Sequence, residues 1–138
     1  MTCDEVIAEI GRLMSEWGYE YFFFACDDRE YSDRIADYYG KQCIRMNRKL
    51  YHFFENGEPI PFESLNIITV EFENYTMQQK TEDYIVETYL LSKCDSLYTD
   101  GGSGLRYAYI VNGGMYKHFE MHETGLWTEE DMGIKKLG

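Results

Sequence analysis

Proline is nearly missing from this chain: Pro59 and Pro61 are the two in 138 residues, and they fall together. Elsewhere helices and strands run until their own start and stop signals end them. Cysteine is sparse as well. Cys3, Cys26, Cys43 and Cys94 are scattered, with no C-x-x-C pair and without the density of a disulfide scaffold, the pattern of reduced thiols. Positive charge is outnumbered, 13 Lys and Arg against 25 Asp and Glu, for a formal net charge of -12. Such a chain repels duplex nucleic acid and anionic membranes in the mean, which leaves a local basic pocket as the one route to an anion. Apolar runs stay well short of the roughly 20 residues that span a bilayer. The opening Met1-Thr2-Cys3-Asp4-Glu5 is acidic where a signal peptide is basic. A cytoplasmic location, with no membrane and no nucleic-acid partner, is expected.

What the chain has in quantity is aromatic side chains, 17% of all residues, with 13 Tyr and 8 Phe. Rings in this number fill a core, edge it with amphipathic Tyr, or furnish an interface. The total length suits a single domain over residues 1–138.

Helix and strand signals alternate. Thr2 and Glu5 form a T-x-x-E capping box ahead of Val6, Ile7, Ile10, Leu13, Met14 and Trp17, a helical stripe that Gly18 closes. The apolar run from Tyr19 to Cys26 predicts a strand buried on both faces, terminated by Asp27-Asp28. Asp28 suits the cap of a second helix with Tyr31, Ile35, Tyr38 and Tyr39 on its apolar side and Gly40 at its end. A short strand over 42–46 follows. Residues 51–75 read as an irregular loop or hairpin insertion around Asn56-Gly57 and the two prolines, with a strand near Ile67 to Phe72. A helix is expected from Gln78 to Lys93 with Ile85, Val86, Tyr89 and Leu90 on its buried side. Then come a strand at Ser96 to Thr99, a glycine loop from Asp100 to Gly104, a helix from Leu105 to Asn112, a strand from Lys117 to Met121, and a tail over 124–138. The alternation predicts an α/β fold, a Rossmann-like parallel sheet with helices on both faces.

Three features in this order bear on chemistry. The turn Gly102-Ser103-Gly104, opening a helix that carries Arg106, could present backbone amides and a hydroxyl to a phosphate; a strand-to-helix turn also needs glycine for geometry alone. Asp27 and Asp28 close the most apolar strand, where α/β ligands sit, although a helix cap explains Asp28 equally well. Glu87, on the helix before the glycine loop, could accept two hydrogen bonds from a guanine edge, or stand solvated. Arg45, Arg48 and Lys49 form the densest basic cluster, read as a solvated loop or as a stand-in phosphate cation with Arg106. His118 and His122 lack both a third ligand and the zinc-protease order, so neither a metal nor a cofactor is expected.

Taken together, Phe22-Phe23-Phe24-Ala25-Cys26-Asp27-Asp28 and the stretch from Tyr84 to Ser103 (YIVETYLLSKCDSLYTDGGS) resemble the C-terminal half of fucosyltransferases with the GT-B fold. The group concerned comprises the α1,6-fucosyltransferases, nodulation fucosyltransferases and protein O-fucosyltransferases, and the likeness covers most of residues 5–112. Cys26 stands where that group has Thr, Leu91-Ser92-Lys93-Cys94-Asp95 supplies its "LS-x-x-D", and Glu87 replaces an Asp. The resemblance implies a GDP-sugar donor, GDP-fucose in the first place. Glu87 would meet the guanine, and Gly102, Ser103, Gly104 and Arg106 would lie at the phosphates, with Asp27 and Asp28 in the donor cleft. The group's H-x-R-type motif, which neutralises the diphosphate, has no counterpart here. The expectation is therefore a donor-binding half, inactive alone, with an N-terminal acceptor domain missing or supplied elsewhere. The alternative is a catalytically degenerate Rossmann-like module that uses its Tyr-rich surface to form a homodimer or to hold a partner.

Overall fold

A computed structural model describes residues 1–61, 76–100 and 103–122. The chain divides into two compact units, Met1–Lys80 and Thr81–Gly138. Both mix helices with short strands, so the class is α/β.

In the first unit, α1 (Cys3–Trp17) starts on the expected capping box. The Glu5 amide donates to Thr2 Oγ1 at 3.2 Å, and the Thr2 amide donates to Glu5 Oε2 at 2.7 Å. β1 (Phe22–Phe23) runs parallel to β2 (Cys43–Ile44), with Phe22 opposite Cys43 and Phe23 opposite Ile44. The crossover between them is α2 (Arg29–Tyr39), followed by a short 3-10 turn over Gly40–Gln42. Cys3, Ile10 and Ile35 form the centre of the core, packed by Val6, Phe22, Phe24 and Tyr39 among others. Polar ties lock α1 to α2: Tyr39 Oη donates to the Ile7 carbonyl at 2.5 Å, and Arg34 pairs with Asp4 at 2.8 Å.

The two-sided burial expected for 19–26 does not occur. Phe22, Phe23 and Phe24 are half-buried and Tyr21 is exposed. The strand is only two residues long and, among the described residues, pairs with one neighbour, and Phe22 and Phe24 pack against the cluster of α1 and α2 residues without being fully covered.

Asn56-Gly57 makes the expected hairpin. β3 (Phe54–Glu55) pairs antiparallel with β4 (Glu58–Pro59), and Asn56 and Gly57 both have positive φ, 52° and 81°. That is the pair of left-handed residues a tight two-residue hairpin turn requires. The strand expected near Ile67 to Phe72 lies outside the described residues, as does the tail over 124–138.

The second unit repeats the strand–helix–strand plan. Beyond α3 (Met77–Ser92), in which the division between units falls, β5 (Leu97–Thr99) pairs in parallel with β6 (Phe119–Met121) through α4 (Ser103–Asn112). Leu97, Leu105 and Met121 are its buried centre, with Leu91, Tyr116 and Phe119 packed around them. Tyr116 Oη donates to the Leu91 carbonyl at 2.9 Å, and Asn112 Nδ2 donates to the Ser92 carbonyl at 2.9 Å.

Here α3 departs from the expected orientation. Glu87, Thr88 and Ser92 are its buried residues, while Ile85, Val86, Tyr89 and Leu90 are between 40% and 49% exposed. The inward face can be polar because its hydroxyls are satisfied locally. Thr88 Oγ1 donates to the Tyr84 carbonyl at 2.8 Å, and Ser92 Oγ to the Tyr89 carbonyl at 2.5 Å. Small side chains on that face also admit a close neighbour. A Cβ on Gly104 of α4 would sit 2.7 Å from Thr88 Cγ2 and 2.9 Å from Tyr84 Oη. Gly104→Ala should consequently destabilise the protein by about 1–3 kcal/mol through overpacking. Urea denaturation would measure this, and Gly104→Ala combined with Thr88→Ser, which removes the facing methyl, should recover part of the loss.

Candidate functional site

The carboxyl end of β1 is held by backbone hydrogen bonds that reach past the strand itself. The Phe24 amide donates to the Ile44 carbonyl at 2.8 Å. A little further on, the Tyr51 amide donates to the Asp27 carbonyl at 2.7 Å, and the Arg29 amide donates to the Tyr51 carbonyl at 2.8 Å, an isolated parallel bridge. These bonds bring Asp27, Asp28, the start of α2 and the segment 45–51 into one neighbourhood.

Asp28 is 5% exposed. Its Oδ2 accepts from the Tyr31 amide at 2.9 Å, capping α2, and its Oδ1 accepts from the amides of Phe53 and Phe54 at 2.8 and 3.2 Å. Both oxygens are thus engaged by backbone. Asp27 is exposed and accepts from Arg48 Nη2 at 2.9 Å. The Arg48 side chain is only 8% exposed, and the same Nη2 donates to the Cys26 carbonyl at 3.1 Å. Arg45 Nη1 donates to Asp33 Oδ1 at 2.7 Å and to the buried Ser32 hydroxyl at 3.0 Å. Arg29, Arg45, Arg48 and Lys49 line a cleft of about 580 Å³, with the Asp33 carboxylate also in its wall.

The R-M-N-R-K run after β2 is accordingly more than a solvated loop. The buried Arg48 guanidinium, with Arg45 tied to Ser32 and Asp33, lies in the wall of that concave surface. Arg29 could have been associated with that run only through the pairing of Tyr51 with Asp28, which leaves no mark in local sequence.

The remaining sequence candidates belong to the second unit. Glu87 is 7% exposed, on the inward face of α3 beside Thr88. Ser103 opens α4, Gly104 packs against Thr88 and Tyr84, and Arg106 is exposed one turn along. Gly102 lies outside the described residues. Among the described residues, no group of three or more His, Cys, Asp or Glu side chains is placed to hold a metal ion.

Cys26, next to this acidic pair, is unsuited to nucleophilic work. Burial pushes its thiol from the usual 9.0 up to about 11, opposed by a backbone hydrogen bond from Asp28 and reinforced by the charges of Asp28 and Asp27. A thiol at that value is protonated at neutral pH. The folded state then holds its proton through a range where the unfolded chain releases it, so stability contributed by this group is full below pH 9 and lost as pH rises toward 11. Cys26→Ala should flatten that part of a plot of unfolding free energy against pH. Asp28→Ala, by contrast, removes a cap and strands two amides; a loss of about 2–4 kcal/mol is expected in urea denaturation, with Asp28→Asn recovering part of it.

Among the described residues, no helix is long and apolar enough to cross a membrane. No protein-family model, curated protein or solved structure gives a significant match to the chain.

Proposed function

We propose that this chain is a donor-nucleotide-binding module of the fucosyltransferase type, Rossmann-like in organisation, with a GDP-sugar as its ligand. The observation that supports the reading most is within the second unit. The Glu87 carboxylate and the helix-opening turn at Ser103 are carried by two helices in direct contact, since Gly104 lies against Thr88, the residue next to Glu87. A carboxylate that reads a guanine edge and a helix start that receives phosphate need that proximity. The reading assigns nucleotide binding to these residues and no turnover.

A second reading draws on a separate observation, the outward apolar side of α3. Ile85, Val86, Tyr89 and Leu90 form a surface on which a second copy of the chain could pair. The two readings separate in one pair of measurements. Calorimetric titration with GDP, against UDP and ADP, should give selective binding that falls at least about tenfold in Glu87→Gln, with Ser103→Ala weakening it further. Circular dichroism keeps a folding defect distinct from a binding defect. Absence of nucleotide binding with a dimer mass by light scattering would retire the donor reading in favour of the assembly module.

A further inference from the structure

We propose that Asn56, at the tip of the hairpin, is a site of spontaneous deamidation, and that Glu30 restrains its rate. The sequence contains two Asn-Gly pairs, Asn56-Gly57 and Asn112-Gly113. Glycine has no side chain to keep its amide nitrogen away from the carbonyl of the asparagine before it, so both pairs are chemically competent. The fold treats them differently.

Asn112 is held at three points. Its Nδ2 donates to the Ser92 carbonyl at 2.9 Å, its Oδ1 accepts from the Met115 amide at 2.6 Å, and the Gly113 amide donates to the Ile110 carbonyl at 3.0 Å. Its side-chain carbonyl cannot turn toward the Gly113 nitrogen until those bonds break. Asn56 instead sits exposed in the turn between β3 and β4, at φ 52° and followed by Gly57 at φ 81°. Restraint there comes from a neighbour: the Gly57 amide donates to Glu30 Oε1 at 2.6 Å.

In the reaction, the Gly57 nitrogen attacks the Asn56 side-chain carbonyl carbon. The new carbon–nitrogen bond closes a cyclic imide, the side-chain carbon–nitrogen bond breaks, and ammonia leaves with the proton that Gly57 gave up. Water then opens the imide at either carbonyl, giving aspartate or isoaspartate. The net change is asparagine plus water to acid plus ammonia. Glu30 opposes the first step, because the nitrogen must surrender the hydrogen bonded to that carboxylate, and the imide nitrogen has none to donate. Glu55 and Glu58 face each other across the ladder beside the turn, and their charge disfavours ionisation of the nitrogen as well.

The product works against the turn that formed it. A new carboxylate joins Glu55, Glu58 and Glu30, and like charges so placed repel. Isoaspartate also adds a backbone carbon to a two-residue loop that sets the register of Phe54 opposite Pro59 and Glu55 opposite Glu58. The base of the hairpin stays tied to Asp28 through the Phe53 and Phe54 amides. Modification therefore releases the turn from α2 while the unit remains folded.

The inference is independent of the nucleotide reading. The full chain is incubated in mildly alkaline buffer, folded and in parallel unfolded in urea. Peptide mass mapping follows conversion of each amide to acid, and enzymatic methylation identifies isoaspartate. In urea the two pairs should convert at similar rates. In the folded chain Asn56 should convert about tenfold faster than Asn112 or more, since freeing Asn112 costs at least one net hydrogen bond. Glu30→Ala, shown to be folded by circular dichroism, should speed conversion at Asn56 several-fold and leave Asn112 unchanged. Equal rates at the two pairs in the folded chain, faster conversion at Asn112, or no conversion at Asn56 under conditions where the unfolded chain converts would overturn the site. An unchanged or slower rate at Asn56 in Glu30→Ala would overturn the role given to Glu30.

Discussion

The first unit depends on one buried carboxylate. Asp28 terminates the segment leaving β1, caps α2 through the Tyr31 amide, and holds the start of the hairpin through the amides of Phe53 and Phe54. Without it, three backbone donors from two separate elements would lose their acceptor. The same anchoring fixes where the chain from Arg45 to Tyr51 must run, because the Tyr51 amide and carbonyl bond on either side of Asp28. The basic cleft is therefore a consequence of how the hairpin is tethered as much as of which residues follow β2.

In the second unit the organising constraint is steric. Gly104 allows α4 to approach α3 at a distance where an added Cβ would crowd Thr88 and Tyr84, on the helix face that also buries Glu87, Thr88 and Ser92. Once small hydroxyl residues face inward and donate to their own helix carbonyls, the larger apolar residues at 85, 86, 89 and 90 are turned outward. Burial here follows fit, with hydrophobicity as the weaker influence.

This contrast explains how much was legible in the sequence. Local signals were reliable: the Thr2–Glu5 capping box, Asp28 as cap, the glycine stops and the Asn56-Gly57 turn all sit where short-range chemistry puts them. Helix positions along the described chain followed from them, as did parallel pairing across α2 and α4, but the strands expected over 19–26 and 42–46 shrink to two residues each, in separate two-stranded sheets among the described residues. What failed depends on neighbours distant in sequence. The apolar run at 19–26 predicts a doubly covered strand, yet coverage is set by how many strands lie alongside. The stripe at 85–90 predicts a buried side, yet the partner helix prefers the small residues. The cleft was half legible. Arg45, Arg48 and Lys49 are adjacent in sequence, but Arg29 joins them only through a bridge between Asp28 and Tyr51.

The two carboxylates at the end of β1 divide their work by environment. Asp28 is withdrawn from solvent and saturated with backbone donors; it cannot contact a ligand without releasing a helix cap or the hairpin. Asp27 is exposed and bonded to a buried guanidinium, so its own carboxylate can be hydrated without Arg48, while the buried guanidinium also holds the Cys26 carbonyl.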